Sequence, residues 1–133
     1  RYFHKKIILD NLCISDRFID TNVFNLSEQT DAVVADYKSA KSRSPFKMLV
    51  IKYPKKQVAV ESFNNFVKLR ESWGEKGLEI NGLHTFEDLK GRFSSITRVD
   101  NIIIATFFVE TRVKSELHIS AAVSKAKVIQ GKD

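Results

Sequence analysis

The chain has 133 residues, room for one domain built on one core, and its 43% hydrophobic and 29% charged content is that of an ordinary globular fold. The net charge is +6, and Cys13, the single cysteine, excludes an internal disulfide framework and a multi-cysteine zinc site. The strongest apolar run, Ile102–Val109, is far short of the roughly 20 residues that a membrane-crossing helix needs.

Tyr2–Leu9 mixes aromatic and β-branched residues with two lysines and predicts an edge strand. Asn11–Asn25 has no clear period and predicts an irregular excursion with a short strand near Phe18 or Val23. Cys13, between Leu12 and Ile14, fits a small buried hydrophobe rather than a reactive thiol. Ser27 is a good N-cap, and Glu28 and Asp31 place negative charge near a helix start, so a short helix is expected over Glu28–Ser39. Pro45 biases Ser44 toward an extended conformation that leads into a strand.

Phe46–Tyr53 is that strand, with Phe46, Met48 and Val50 on one face and Leu49, Ile51 and Tyr53 on the other. Pro54 marks a helix start, and in Lys55–Ser72 the residues Ala59, Val60, Phe63, Phe66 and Val67 form one apolar stripe. Trp73–Leu83, with three glycines, reads as a loop, and Trp73 as a lid on the core. A strand is expected around His84–Leu89. A hairpin of Arg92–Val99 and Ile102–Val109 then closes at Asp100-Asn101, two residues tolerant of positive φ. Thr111–Ile129 closes the chain as a helix apolar on two sides, with Val113, Leu117, Ala121 and Val128 on one and Ile119, Ala122, Val123 and Ala126 on the other.

Little in the sequence speaks for catalysis. It has no phosphate-cradling glycine loop, no GxSxG and no HExxH. An enzyme would need one of the three histidines, His4, His84 or His118, to meet Asp16, Asp20 or Glu87 in a cleft. His84 with Glu87 and Asp88 is too unspecific a cluster to predict a metal site. No catalytic residue, metal or cofactor is expected. The charge distribution is more informative. Between Tyr37 and Val60 stand Lys38, Lys41, Arg43, Lys47, Lys52, Lys55 and Lys56 with no acid, so the whole positive surplus sits in one segment. These seven are the candidate anion-binding residues. The alternative is a solvated basic face, since a strand, a loop and a helix start point their side chains in different directions.

Tyr2-Phe3-His4, Val23-Phe24-Asn25-Leu26 and Leu49-Val50-Ile51-Lys52-Tyr53-Pro54, followed by a helix with Ala59 and Phe63, together carry a family likeness. The chain resembles the carboxyl-terminal half of an uncharacterised bacterial family, a domain of unknown function in proteins that are commonly exported. The resemblance implies a two-part protein, an extracytoplasmic (periplasmic or secreted) location and no catalytic residues. Lys55 and Lys56 depart from the acidic or small polar residues that often follow Tyr-Pro in that family.

The expected fold is α+β over residues 1–133: an antiparallel sheet with helices packed mainly on one face, similar to a ferredoxin-like sandwich, permuted in that Tyr2–Leu9 fills the edge of a last strand. The chain opens on Arg1 and is expected to be a fragment of a longer protein. With strands apolar on both faces and helices on one, the second face is expected to meet a companion domain or a second copy. The expected function is a non-catalytic structural or interaction module of a larger bacterial protein. The alternative is polyanion or nucleic-acid binding through the basic 38–56 segment.

Overall fold

The computed structural model describes residues 13–19, 32–37 and 45–130. Seven strands form one sheet: β1 (Cys13–Ile19), β2 (Ala32–Tyr37), β3 (Phe46–Lys52), β4 (Lys76–Ile80), β5 (Leu83–Glu87), β6 (Phe93–Val99) and β7 (Ile102–Val109). Among the described residues two helices join them, α1 (Lys56–Ser72) after β3 and α2 (Arg112–Gln130) after β7. The strand order is β1-β2-β3-β7-β6-β5-β4, and every pair is antiparallel. The fold is therefore α+β, an antiparallel sheet with two helices packed on it.

The two helices lie on opposite faces. Ala59 and Phe66 of α1 pack with Leu49, Ile51, Tyr53, Phe86, Ile96, Ile103, Ala105 and Phe107. Ile119, Ala122 and Ala126 of α2 pack with Phe46, Met48, Val50, Ile102, Ile104 and Val109. Alternation along β3 and β7 sorts these two sets onto the two faces of one sheet. The expectation of helices mainly on one face is corrected, and a sheet of seven described strands does not bear out the ferredoxin-like sandwich. The topology gives the reason. The chain leaves β3 through α1 and re-enters at β4, the far edge, so α1 occupies the face over β6 and β7. When α2 leaves β7 it contacts β5, β6 and β7 from the other side.

The bare second face that was to seek a companion is consequently absent from the centre of the sheet. On β2 and β3, residues of both parities are buried, Ala32 to Ala35 and Met48 to Ile51 among them. Apolar side chains do remain outside, in the row Val113, Leu117 and Val128 along α2. Only one of the two apolar sides of that helix, the one with Ile119, Ala122 and Ala126, is used for packing on the sheet.

Two segments differ from expectation. Ala32–Tyr37 is a strand, where a helix was expected over Glu28–Ser39. Its neighbours on both sides supply ladder partners, Arg17↔Val34 toward β1 and Val34↔Leu49 toward β3, and a short run of Ala and Val suits a strand buried on both faces. Tertiary pairing outweighs the N-cap signal. Likewise the expected Trp73–Leu83 loop holds β4, which turns into β5 at Asn81-Gly82, both at positive φ, the signature of a tight hairpin. Several other expected elements hold in the described residues, while the expected burial of the Cys13 side chain lies outside what they show. β1 covers Phe18, β3 has the predicted faces, the β6–β7 hairpin turns at Asp100-Asn101, and both helices match to within a residue. The Tyr2–Leu9 strand lies outside them.

Candidate functional site

At the end of the sheet where β3 and β6 begin and β7 ends, a cavity of about 320 Å³ opens. Its apolar walls are Trp73, Leu89, Phe107 and Phe108, and its polar groups come from Arg70, Glu75, Asp88, Lys90, Arg92 and Ser94.

The aromatic wall depends on a bulge. Between the pairs Ser95↔Thr106 and Phe93↔Val109, β6 advances by two residues and β7 by three. Phe108 is the residue at which the backbone departs, with φ +66. Strict alternation would send Phe107 to the α1 face and Phe108 to the α2 face. With the bulge, Phe108 packs beside Phe107 on the α1 side and Val109 returns to the α2 core. A phenylalanine in the left-handed region costs on the order of 1–2 kcal/mol, a strain of the kind that gathers at functional sites.

The floor is a buried ion pair. Arg70 ends the apolar stripe of α1, and Gly74, at φ +76 just past the Trp73 C-cap, stops the helix and turns the chain back. That turn brings Glu75 onto Arg70. Arg70 Nε donates to Glu75 Oε2 at 2.5 Å, Nη2 donates to the other carboxylate oxygen, and Nη2 also reaches Ser94 Oγ at 3.3 Å. The Phe66, Trp73 and Phe86 rings surround the guanidinium at 5.5, 5.8 and 5.5 Å. Both side chains are under a tenth exposed, so this pair is part of the core.

The rim is a loop built on Asp88. Its Oδ1 accepts from the backbone N–H groups of Lys90 at 2.8 Å and Arg92 at 2.9 Å, and its Oδ2 accepts from Arg92 Nε at 3.0 Å. Burial pushes the Asp88 carboxyl up, but these hydrogen bonds and the Arg92 charge outweigh it and hold the group below its ordinary value. The Arg92 guanidinium lies over the Phe108 ring, 4.6 Å from its centre. Leu89 is 97% exposed and Trp73 53%, so both stand at the mouth. Beyond Arg92 and Phe108 a neighbouring cavity of about 380 Å³ is lined by Asp36, Pro45, Phe46 and Lys47.

Of the seven candidate cations, the structure describes four, one at the start of β3 and three at or just beyond its end. Lys47 sits at the start of β3, paired with Asp36 across the strands at 2.5 Å. Lys52 has the opposite parity at the other end of the strand, about 17 Å away at ordinary strand rise. Lys55 is the N-cap of α1 and Lys56 its first residue. Lys38, Lys41 and Arg43 lie outside the described residues. His84 and His118 are also apart from the cavity, and His4 lies outside the described residues. His84 packs edge-on against Phe63 at 5.2 Å and His118 stacks on Phe46 at 4.3 Å. Glu87 has the opposite strand parity to His84, and Asp88 is occupied by Arg92. Among the described residues no cluster of three or more His, Cys, Asp or Glu is placed to hold a metal ion, and no helix is long and apolar enough to cross a membrane.

Sequence reasoning missed this site. Phe107-Phe108 reads as ordinary alternation, and nothing in the sequence singles out Arg70. The available signals were Trp73-Gly74, a helix stop beside an aromatic, and Asp88-Leu-Lys-Gly-Arg92, a turn sequence with an oppositely charged residue at each end. No protein-family model, curated protein or solved structure matches this chain, and the functional reading rests on the geometry.

Proposed function

We propose that the chain is a non-catalytic interaction module of a larger protein, and that its binding surface is the cavity walled by Trp73, Phe107 and Phe108. The observation that carries this is the bulge at Phe108, which places two consecutive phenylalanines on one side of the sheet at a backbone cost. The volume lies at the low end for small-ligand pockets, and the walls are mostly apolar with a few placed polar groups. The lining favours binding over chemistry. Glu75 and Asp88 are each committed to an arginine, and among the described residues neither a histidine nor a cysteine borders the space. An extracytoplasmic setting accords with the family resemblance.

Trp73 is the chain's single tryptophan, so its emission reports the cavity mouth without interference. Titration with an apolar probe such as octanamide is expected to give a saturable change in that emission. Phe108→Gly keeps the positive φ accessible while removing the ring, so the variant is expected to fold and to lose about tenfold in affinity. A wild-type protein whose emission never saturates with such a probe refutes the reading.

A further inference from the structure

We infer that the ligand of this cavity carries a carboxylate, received by the free edge of Arg92. The inference rests on the cavity being the binding surface and adds the chemical class of what enters it. Two contacts fix the Arg92 guanidinium: its Nε donates to Asp88 Oδ2, and one of its faces covers the Phe108 ring. Both leave Nη1 and Nη2 unused, and no group among the described residues accepts from them. The side chain is 39% exposed and borders both cavities. An arginine held along one edge and one face, with its terminal N–H groups turned out, is prepared for the two oxygens of a carboxylate. Arg70 makes the contrast. Its guanidinium is buried, doubly bonded to Glu75 and enclosed by three rings, so it is part of the floor.

Charge points the same way. Among the described residues the cavity is lined by three cations, Arg70, Lys90 and Arg92, against two carboxylates, Glu75 and Asp88. The two arginines hold those carboxylates, and the Lys90 ammonium has no ion pair among the described residues. In the adjoining space Lys47 is matched by Asp36. One negative charge is therefore accommodated, at the rim beside Arg92 and Lys90, while an apolar body lies against Trp73, Phe107 and Phe108. That combination describes an apolar monocarboxylate, a short fatty acid or aryl acid, better than a doubly charged phosphate.

The test compares octanoate with its neutral isostere octanamide on the full chain at neutral pH and low salt, read by Trp73 emission. Octanoate is expected to bind at least about tenfold more tightly, as a charge-assisted pair of hydrogen bonds requires. Arg92→Gln should close the gap between the two probes, bringing octanoate down to the affinity that the same variant shows for octanamide. Arg92→Lys, which keeps the charge but lacks the fork, should lose most of the preference, and Lys90→Gln a smaller part. Equal affinity of the wild-type protein for the two probes overturns the carboxylate while leaving the cavity in place. Saturation by neither overturns the cavity reading itself. A preference for octanoate that survives in both Arg92 variants removes the assignment to Arg92.

Discussion

The two faces of the sheet solve the same problem, burying polar groups beneath a helix, in different ways. Under α1 the interior is aromatic, with Tyr53, Phe66, Phe86 and Phe107, and the polar element is the charged pair Arg70–Glu75. Under α2 the interior is mostly aliphatic, and the polar element is a chain of four hydroxyls. Thr85 Oγ1 lies 3.0 Å from Ser95 Oγ, Ser95 Oγ lies 2.7 Å from Ser115 Oγ, and Ser115 Oγ lies 3.0 Å from Thr106 Oγ1. All four residues are buried. Three hydrogen bonds join these hydroxyls and tie α2 to three adjacent strands. The ion pair instead lies at the margin of its face, where the core gives way to the cavity and to Arg92. A neutral network ties a helix to the sheet, whereas the buried ion pair forms the floor of a cavity at whose rim Arg92 stands.

The largest effect should come from the charged side of this comparison. Glu75→Leu leaves the Arg70 guanidinium buried with no carboxylate, a change that typically costs about 3–5 kcal/mol. The aromatic rings around Arg70 keep the expected loss near the lower figure. Denaturant unfolding checks this, and a loss below about 1 kcal/mol would show that the pair is solvated. The matching change on the other face is smaller. Ser115→Ala deprives both Ser95 and Thr106 of a partner and should cost about 1–3 kcal/mol. Combining it with Thr85→Val, Ser95→Ala and Thr106→Val should recover much of that loss, because no hydroxyl is then left unmatched. Failure to recover would mean that packing rather than hydrogen bonding holds α2.

The smallest effect is a pH dependence on the α2 face. Burial, and then the nearby Lys114 charge, lower the His118 pKa below its ordinary value of 6.5. The unfolded chain therefore takes up the proton first. The stability this group contributes is complete above about pH 6.5 and declines as pH falls from there toward the folded value. His118→Phe keeps a ring over Phe46 and should flatten that decline. Equal slopes in the two proteins between pH 7.5 and 5 would show that His118 is not its source.

Much of the architecture can be read along the chain wherever local pattern and tertiary role coincide. In β3, alternation alone assigns Phe46, Met48 and Val50 to one face and Leu49 and Ile51 to the other, because a residue's side of a strand is set by backbone geometry. The stripe of α1 and the β6–β7 hairpin are legible for the same reason. β2 was not, because Ser27 and the acids after it signal a helix start, and the strands that pair with Val34 on either side are remote in sequence.

The candidate site shows the division most clearly. That one segment holds an excess of lysine is a property of the sequence, and so is the presence of Trp73, Arg70 and Arg92. Which cations meet depends on which strand ends lie together, and that is settled by pairings between residues far apart in the chain. The folded sheet separates Lys47 from Lys52, encloses Arg70 beside Glu75 and leaves Arg92 half exposed at an aromatic mouth. Local sequence fixes the alternation and the helix stripes because backbone geometry acts over a few residues. The face each helix covers, the bulge at Phe108 and the company each charge keeps follow from packing between distant segments, so only the tertiary structure decides them.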